Sequence, residues 1–242
     1  MGDLRGQDPG GKPAPSRGDV PGGNKARNLM ITLYDYLPSQ NAYKVRLLLS
    51  HLQLPYRQKF VSIFEGEGQR AEYLRINPTG AVPALELGDG RVLAESNAIL
   101  WFLAAGTRYL PDDLFAQAKV LQWLSFEGDY VQSTVATLRH WVMTGKAAKR
   151  PEMLVASKRQ GSLKSLGVLD RHLAAGAYLT GDSYTIADIS VFAYVHRADE
   201  AGLPLADFPN VVAWIERIRA QPRFLAEQFP YSIDPHSADE LP

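Results

Sequence analysis

The spacing of apolar positions changes character along the chain. Met30-Ile31-Thr32-Leu33-Tyr34 alternates and is β-prone, which predicts a strand. Val45, Leu48, Leu49 and Leu52 then recur at i, i+3, i+4 and i+7, the stripe of an amphipathic helix over about 42–53. Pro55 to Val61 predicts a second strand, and Glu67 to Ile76 a weak polar helix. Asn77-Pro78-Thr79-Gly80 is turn chemistry. Val82 to Leu87 and Arg91 to Ala94 flank Gly88-Asp89-Gly90, a hairpin signal. Ser96 to Ala105 predicts a third helix, with Ala98, Ile99, Phe102 and Leu103 on one face.

From Asp112 the strand signals stop. Phe115 to Thr144, Glu152 to Ala174 and Pro209 to Ala220 all read as helices, and Thr185-Ile186-Ala187-Asp188 opens another. There the Thr185 hydroxyl and the Asp188 carboxylate have the spacing of a reciprocal N-terminal cap, with Tyr184 and Ile189 as its apolar staple. The pattern predicts a βαβαββα domain over 29–106 and an all-helical domain over 112–230. Residues 1–28 hold 7 Gly and 4 Pro with few sizeable apolar side chains, so they are expected to form a disordered tail. Residues 231–242 are expected to be a polar tail.

Charge and composition narrow the chemistry. With 26 Lys plus Arg against 26 Asp plus Glu, the chain lacks the basic excess that phosphate tracking needs, so no nucleic-acid partner is expected. Cysteine is absent, which excludes thiol nucleophiles and thiolate metal sites within the chain. The five histidines have no metal-ligand spacing, so they are expected at the surface or core edge and no metal is expected. No G-x-S-x-G elbow occurs. Gly66-x-Gly68-x-x-Ala71 mimics a dinucleotide loop but lacks the βαβ context. No apolar run is long enough for a membrane span, and residues 1–28 have no secretory apolar core. A cytoplasmic protein without membrane contact is expected.

Four stretches in this order carry a resemblance: Ser39-Gln40-Asn41-Ala42-Tyr43-Lys44-Val45-Arg46, Asn77-Pro78-Thr79-Gly80-Ala81-Val82-Pro83-Ala84-Leu85, Glu95-Ser96-Asn97-Ala98-Ile99 and Tyr184-Thr185-Ile186-Ala187-Asp188. Together they resemble the glutathione transferase family, and the first looks closest to bacterial members with a serine, or serine and asparagine, at the thiol. The resemblance implies a thioredoxin-like first domain, a helical second domain, glutathione as co-substrate and a homodimer.

Ser39 precedes the first helix. By itself it reads first as a helix N-cap, a common role for serine before any helix. In the family's chemistry a hydroxyl there donates to the glutathione sulfur and, with the helix terminus, keeps the thiol ionised. Asn41 shares that role or caps the helix, and Tyr34 and Tyr36 are rivals near the strand end. Tyr36 and Leu37 are also candidates for the pocket of the second substrate.

The resemblance further implies a cis Val82–Pro83 bond, with the Val82 backbone free for the cysteinyl part of glutathione. It assigns Ser96 to the γ-glutamyl carboxylate and Glu95 to its ammonium. Two positions depart from the family pattern. Ala81 stands where many relatives carry Gln, and Gln69 or Arg70 stands near the usual His or Lys for the glycyl carboxylate. Trp123, Phe126, Tyr130, Arg139, His140 and Trp141 cluster on the long helix, chiefly as packing; Tyr130 and Arg139 are the ones that could reach the second substrate. Three readings follow: a transferase acting on a small hydrophobic electrophile, a glutathione-dependent disulfide reductase on the same site, and a non-catalytic binding or dimerisation module.

Overall fold

A computed structural model describes residues 30–241; the tail expected over 1–28 lies outside the described residues. Strands β1 (Ile31–Asp35), β2 (Tyr56–Phe60), β3 (Ala84–Leu87) and β4 (Val92–Ala94) form one sheet in the order β2-β1-β3-β4. β1 pairs β2 in parallel and β3 antiparallel, and β3 pairs β4 as the expected hairpin. Helices α1 (Gln40–Leu52) and α3 (Ser96–Ala104) pack on this sheet. The weak helix expected over 67–76 is instead a 3-10 turn, Glu67–Gln69, followed by the single turn α2 (Ala71–Leu74). Its few apolar side chains cannot hold a longer helix against the sheet.

The helical half comprises α4 (Leu114–Phe126), α5 (Thr137–Met143), α6 (Glu152–Leu173), α7 (Ile186–Val195) and α8 (Pro209–Arg219). The single long helix expected over 115–144 contains a π-type stretch, Glu127–Ala136, between α4 and α5. Such wide turns re-aim side chains. Here Glu127, Val131 and Val135 face inward.

One apolar core runs through both halves. Val45, Leu48 and Leu49 of α1 belong to the same buried cluster as Ile189, Phe192 and Ala193 of α7. The Thr185 cap is present with both arms, and Asp188 is fully buried beneath it.

The last segment is more than a polar tail. Tyr231–Ile233 forms a 3-10 turn, Asp234 is buried, and Arg150 pairs with Glu240 at 2.7 Å. The segment lies as a strap across the first domain. Its apolar anchor is Tyr231, and its polar groups find partners that a local sequence reading does not supply.

Candidate active site

The loop between β1 and α1 is clamped from the helix. Arg46 holds both oxygens of Asp35 at 2.7 Å and donates to the Leu37 carbonyl at 2.9 Å. The Ser39 amide closes a turn onto the Tyr36 carbonyl at 2.8 Å. These contacts leave Ser39 in extended backbone at the N-cap of α1, its Oγ accepting from the Ala42 amide at 3.3 Å. That cap uses a lone pair and not the hydroxyl hydrogen. The capping and donor readings are therefore compatible.

The tyrosine rivals are committed elsewhere. Tyr34 donates its phenol to Glu86 at 2.7 Å, and Tyr36 donates to Asp234 at 2.8 Å. Burial, then the bond to Asp234, pushes the Tyr36 phenol well above its ordinary pKa. Burial, then Glu86, pushes Tyr34 up to about 12. A hydroxyl whose hydrogen already points at a carboxylate has none left for a sulfur.

Asn41 and Ser96 meet on a buried cation. The Asn41 Oδ1 accepts from Lys44 Nζ at 2.8 Å and from Ser96 Oγ at 3.3 Å. Lys44 is fully buried, 3.3 Å from Ser96 Oγ, and forms a 2.9 Å ion pair with the equally buried Glu127. Burial lowers the lysine's pKa, and Glu127 opposes that shift. The other Glu127 oxygen accepts from Asn97, whose own carbonyl accepts from Ser190 of α7. Lys44 and Glu127 are the site residues that the sequence reading missed. The available signal was a lysine inside a helix whose neighbours Tyr43, Val45, Leu47 and Leu48 are all buried. Nothing local points from it to Glu127.

Val82–Pro83 is cis, as the resemblance implies. Ala84 is the first residue of β3 in the ladder, so Val82 lies just outside it. Ala81 is held from behind: its carbonyl accepts from Tyr73 at 2.6 Å and Asn77 at 2.7 Å. Asn77 also takes the Thr79 amide, the side-chain turn that its sequence context predicts. Glu95 is exposed with φ of 68°, a strained value for a side-chain-bearing residue, and directly precedes α3. Ser96 is buried at the first position of that helix.

Gln69 and Arg70 are both exposed near the Asn77–Gly80 turn. The Gln69 amide lies directly over Gly80, where a Cβ would meet its Nε2 at 2.4 Å. A Cβ on Gly68 would lie 2.2 Å from the Gly80 carbonyl oxygen. Gly68→Ala is therefore expected to lose about 1–3 kcal/mol of stability in a denaturant titration, because backbone must move. A loss below about 0.5 kcal/mol would show that this close approach is easily relaxed.

Beyond the β1–α1 loop, the Tyr36 ring packs against Phe60 and Phe64. His140 of α5 stacks on Phe64 and meets the strap's Tyr231 edge-on. Burial, then Lys146, pulls the His140 pKa down to about 4, so the ring is neutral near pH 7. Arg139 is buried; it pairs with Glu200 at 2.6 Å and lies over the Tyr231 ring. Arg197 takes the other oxygen of Glu200 at 2.6 Å. Leu37 contributes its carbonyl to the Arg46 clamp. A cavity of about 310 Å³ opens beside Tyr36, lined also by Phe60, Ser62, Glu65, Ile233 and Asp234. Tyr130 is not brought to this region: it is 54% exposed and stacks on Phe126. The π-type turns bury Glu127 and Val131 and leave Tyr130 on the outer face. The aromatic cluster expected on the long helix is thus divided between two faces.

His51 and His196 are not at the surface. His51 is held between the Pro222 carbonyl and Tyr184, and His196 stacks on Phe192. Among the described residues no group of three or more His, Cys, Asp or Glu could hold a metal ion, and no helix is long and apolar enough to cross a membrane.

Residues 38–105 match the family profile "Glutathione S-transferase, N-terminal domain", and residues 152–217 match "Glutathione S-transferase, C-terminal domain". Disulfide-bond oxidoreductase YfcG of Escherichia coli is 32% identical over 201 residues, which are 80% of this chain and 92% of that protein. The crystal structure of glutathione S-transferase from Pseudomonas fluorescens superposes with a TM-score of 0.79 at 37% identity, covering 81% of this chain and 98% of that one. A glutathione transferase from Burkholderia graminis, solved with two glutathione molecules bound per subunit, has a TM-score of 0.69 at 28% identity, covering 80% of this chain and 85% of that one.

Proposed function

Because the chain belongs to the glutathione S-transferase family, we propose that it binds glutathione across cis-Pro83 and the start of α3 and ionises its thiol with Ser39 and Asn41. The observation that carries this reading is the arrangement at α1. Among the described residues nothing accepts the Ser39 hydroxyl hydrogen, and Asn41 is the second residue of α1, while both nearby phenols are tied to carboxylates. Hydroxyl and amide donors at a helix terminus stabilise a developing anion. The thiol proton leaves to solvent. The thiolate then attacks an electrophilic carbon held between Tyr36, Leu37 and the helical half; the carbon–sulfur bond forms as the carbon's leaving group departs with its electron pair, or as an activated double bond opens and takes a proton from solvent, without a covalent enzyme intermediate. Ser96 and the α3 terminus receive the γ-glutamyl carboxylate, Glu95 its ammonium, the Val82 backbone the cysteinyl part, and Gln69 or Arg70 the glycyl carboxylate.

A second reading, reduction of disulfides, rests on cations buried behind the aromatic side chains at the Tyr36 cavity. Arg139 and Arg197 share the single carboxylate of Glu200, and Lys146 packs on Phe64 without a carboxylate within ion-pair distance among the described residues. Their positive field favours a carboxylate-bearing disulfide over a purely apolar electrophile. The glutathione thiolate would attack one sulfur and release the other as thiolate; a second glutathione would complete the exchange, leaving glutathione disulfide. The similarity to YfcG and the two-glutathione structure support this reading.

We also assign a homodimer. A groove of about 440 Å³ between α3 and α4, lined by Ala98, Trp101 and Leu121, lies on a face where Phe102, Leu114 and Phe115 are exposed. A second copy would cover this apolar face.

Calorimetric titration with glutathione tests the site. The wild-type protein is expected to bind, and Ser96→Ala to weaken binding about tenfold or more, as loss of a hydrogen bond to a charged group does. No heat up to millimolar glutathione would overturn the enzyme reading in favour of a binding module.

A further inference from the structure

We propose that Lys44 is a positioning residue that turns the Asn41 amide so that its Nδ2, and not its Oδ1, faces the glutathione sulfur. This inference rests on the glutathione site described above and assigns a task to a buried ion pair that lies under it.

A lysine ammonium carries three donors and no acceptor. Here Asn41 Oδ1 accepts one at 2.8 Å and Ser96 Oγ another at 3.3 Å, while Glu127 Oε1 lies 2.9 Å away as the counter-charge, outside hydrogen-bond geometry. An amide nitrogen at the Asn41 position would set donor against donor. The oxygen is therefore fixed on Lys44, and the Nδ2 occupies the other arm of the planar amide, directed away from the ammonium. Among the described residues no acceptor takes up that Nδ2. A freely rotating asparagine would present its oxygen to the sulfur part of the time, and an oxygen repels a thiolate.

The cation is itself held in place. Glu127 compensates its charge, Asn97 donates to Glu127 and is itself held by Ser190, and the Tyr194 ring lies 5.2 Å from the Nζ. The chain runs from the first helix through α3 and the π-type stretch to α7. A fully buried ion pair is a poor source of net stability, since desolvation consumes most of its attraction. A role in orientation gives it a function. Ser96 is shared: it donates to Asn41 here, and it can turn its hydroxyl to the γ-glutamyl carboxylate while Lys44 keeps Asn41 oriented.

The test reads the pKa of the bound glutathione thiol from the pH dependence of thiolate absorbance, on the full chain, with affinity from calorimetry. Lys44→Met combined with Glu127→Gln removes both charges together and leaves no unpaired buried ion. This pair is expected to raise the bound thiol pKa by about one unit, roughly tenfold less thiolate below the pKa. Asn41→Ala is expected to do the same. Adding Asn41→Ala to the pair should bring no further rise, because Lys44 acts through Asn41. Additive shifts would show that Lys44 acts by its charge directly and would overturn the proposal, as would a bound thiol pKa unchanged in the pair.

Asn41→Asp gives a check that leaves the ion pair intact. It keeps an oxygen on Lys44 and replaces only the nitrogen, so it should raise the thiol pKa beyond Asn41→Ala. An Asn41→Asp protein with the wild-type thiol pKa overturns the assigned orientation. Failure of wild-type glutathione to bind, or to ionise more readily than free glutathione, would instead remove the site reading itself.

Discussion

Replacing Ser39 and Asn41 together by alanine is expected to lower turnover with glutathione about 100-fold or more while glutathione still binds. In the proposed site the tripeptide's carboxylates and backbone are held elsewhere, by Ser96, the Val82 backbone and the Gln69 region, so affinity should fall little. On that reading the two lost donors act on the sulfur alone. A free thiol has a pKa of about 8.5, and each donor aimed at the thiolate contributes on the order of one unit. Removal of a single preorganised donor from an anion site commonly costs about 100-fold or more in oxyanion chemistry; sulfur, a softer acceptor, should lose less per donor. The measurement is the pH profile of kcat/KM for a model electrophile and for a mixed disulfide. A profile shifted to higher pH, with its plateau partly recovered, supports donor loss. Undiminished turnover would move the thiolate contact to Tyr36, which would then have to release Asp234. Relative rates on the two substrates also separate transferase from reductase chemistry.

The second large effect is structural. Asp188→Ala is expected to lose about 3–5 kcal/mol of stability, more than a helix cap alone supplies. A cap lost at an exposed helix costs about 0.5–2 kcal/mol. Asp188 is fully buried and serves more than the cap. Its Oδ1 accepts from the Leu179 amide and the Trp214 indole, both at 2.9 Å, and its Oδ2 from the Thr185 amide at 3.0 Å. Truncation leaves three buried N–H groups without an acceptor, each at about 1–3 kcal/mol, offset where water enters the space. Burial lifts the carboxyl pKa to about 6 in spite of these donors. A denaturant titration of the variant gives the loss directly. A loss under about 1 kcal/mol would mean that the site relaxes and that the Trp214 contact carries little. Glutathione affinity, measured where the variant remains folded, should change little.

The two residues differ in how far the sequence alone could take them. Thr185 and Asp188 form a cap across three positions, and that much is local. The contact from Trp214, on a different helix, turns the cap into a hub, and only packing produces it. Ser39 is similar: its capping bond to Ala42 is local, but its availability to a ligand depends on Arg46 and Asp35 fixing the loop. Tyr36 was legible as a rival donor and as a pocket candidate, but its commitment to Asp234 was not, because that partner lies near the other end of the described chain.

The sequence by itself determined the sheet half followed by the helical half, the turn at Asn77, the cap at Thr185 and the positions around Ser39 and Ser96. These depend on apolar period and on hydrogen bonds spanning a few residues, so they are written in neighbouring letters. The tertiary structure alone decided that Lys44 meets Glu127, that the phenol of Tyr36 is spent on Asp234, that Tyr130 faces outward and that residues 231–241 form a strap. Each of these is a single polar or aromatic pairing between distant segments. Such a pairing has no periodic pattern, and its partner is chosen by what the assembled core brings within about 3 Å of a buried group that must be satisfied.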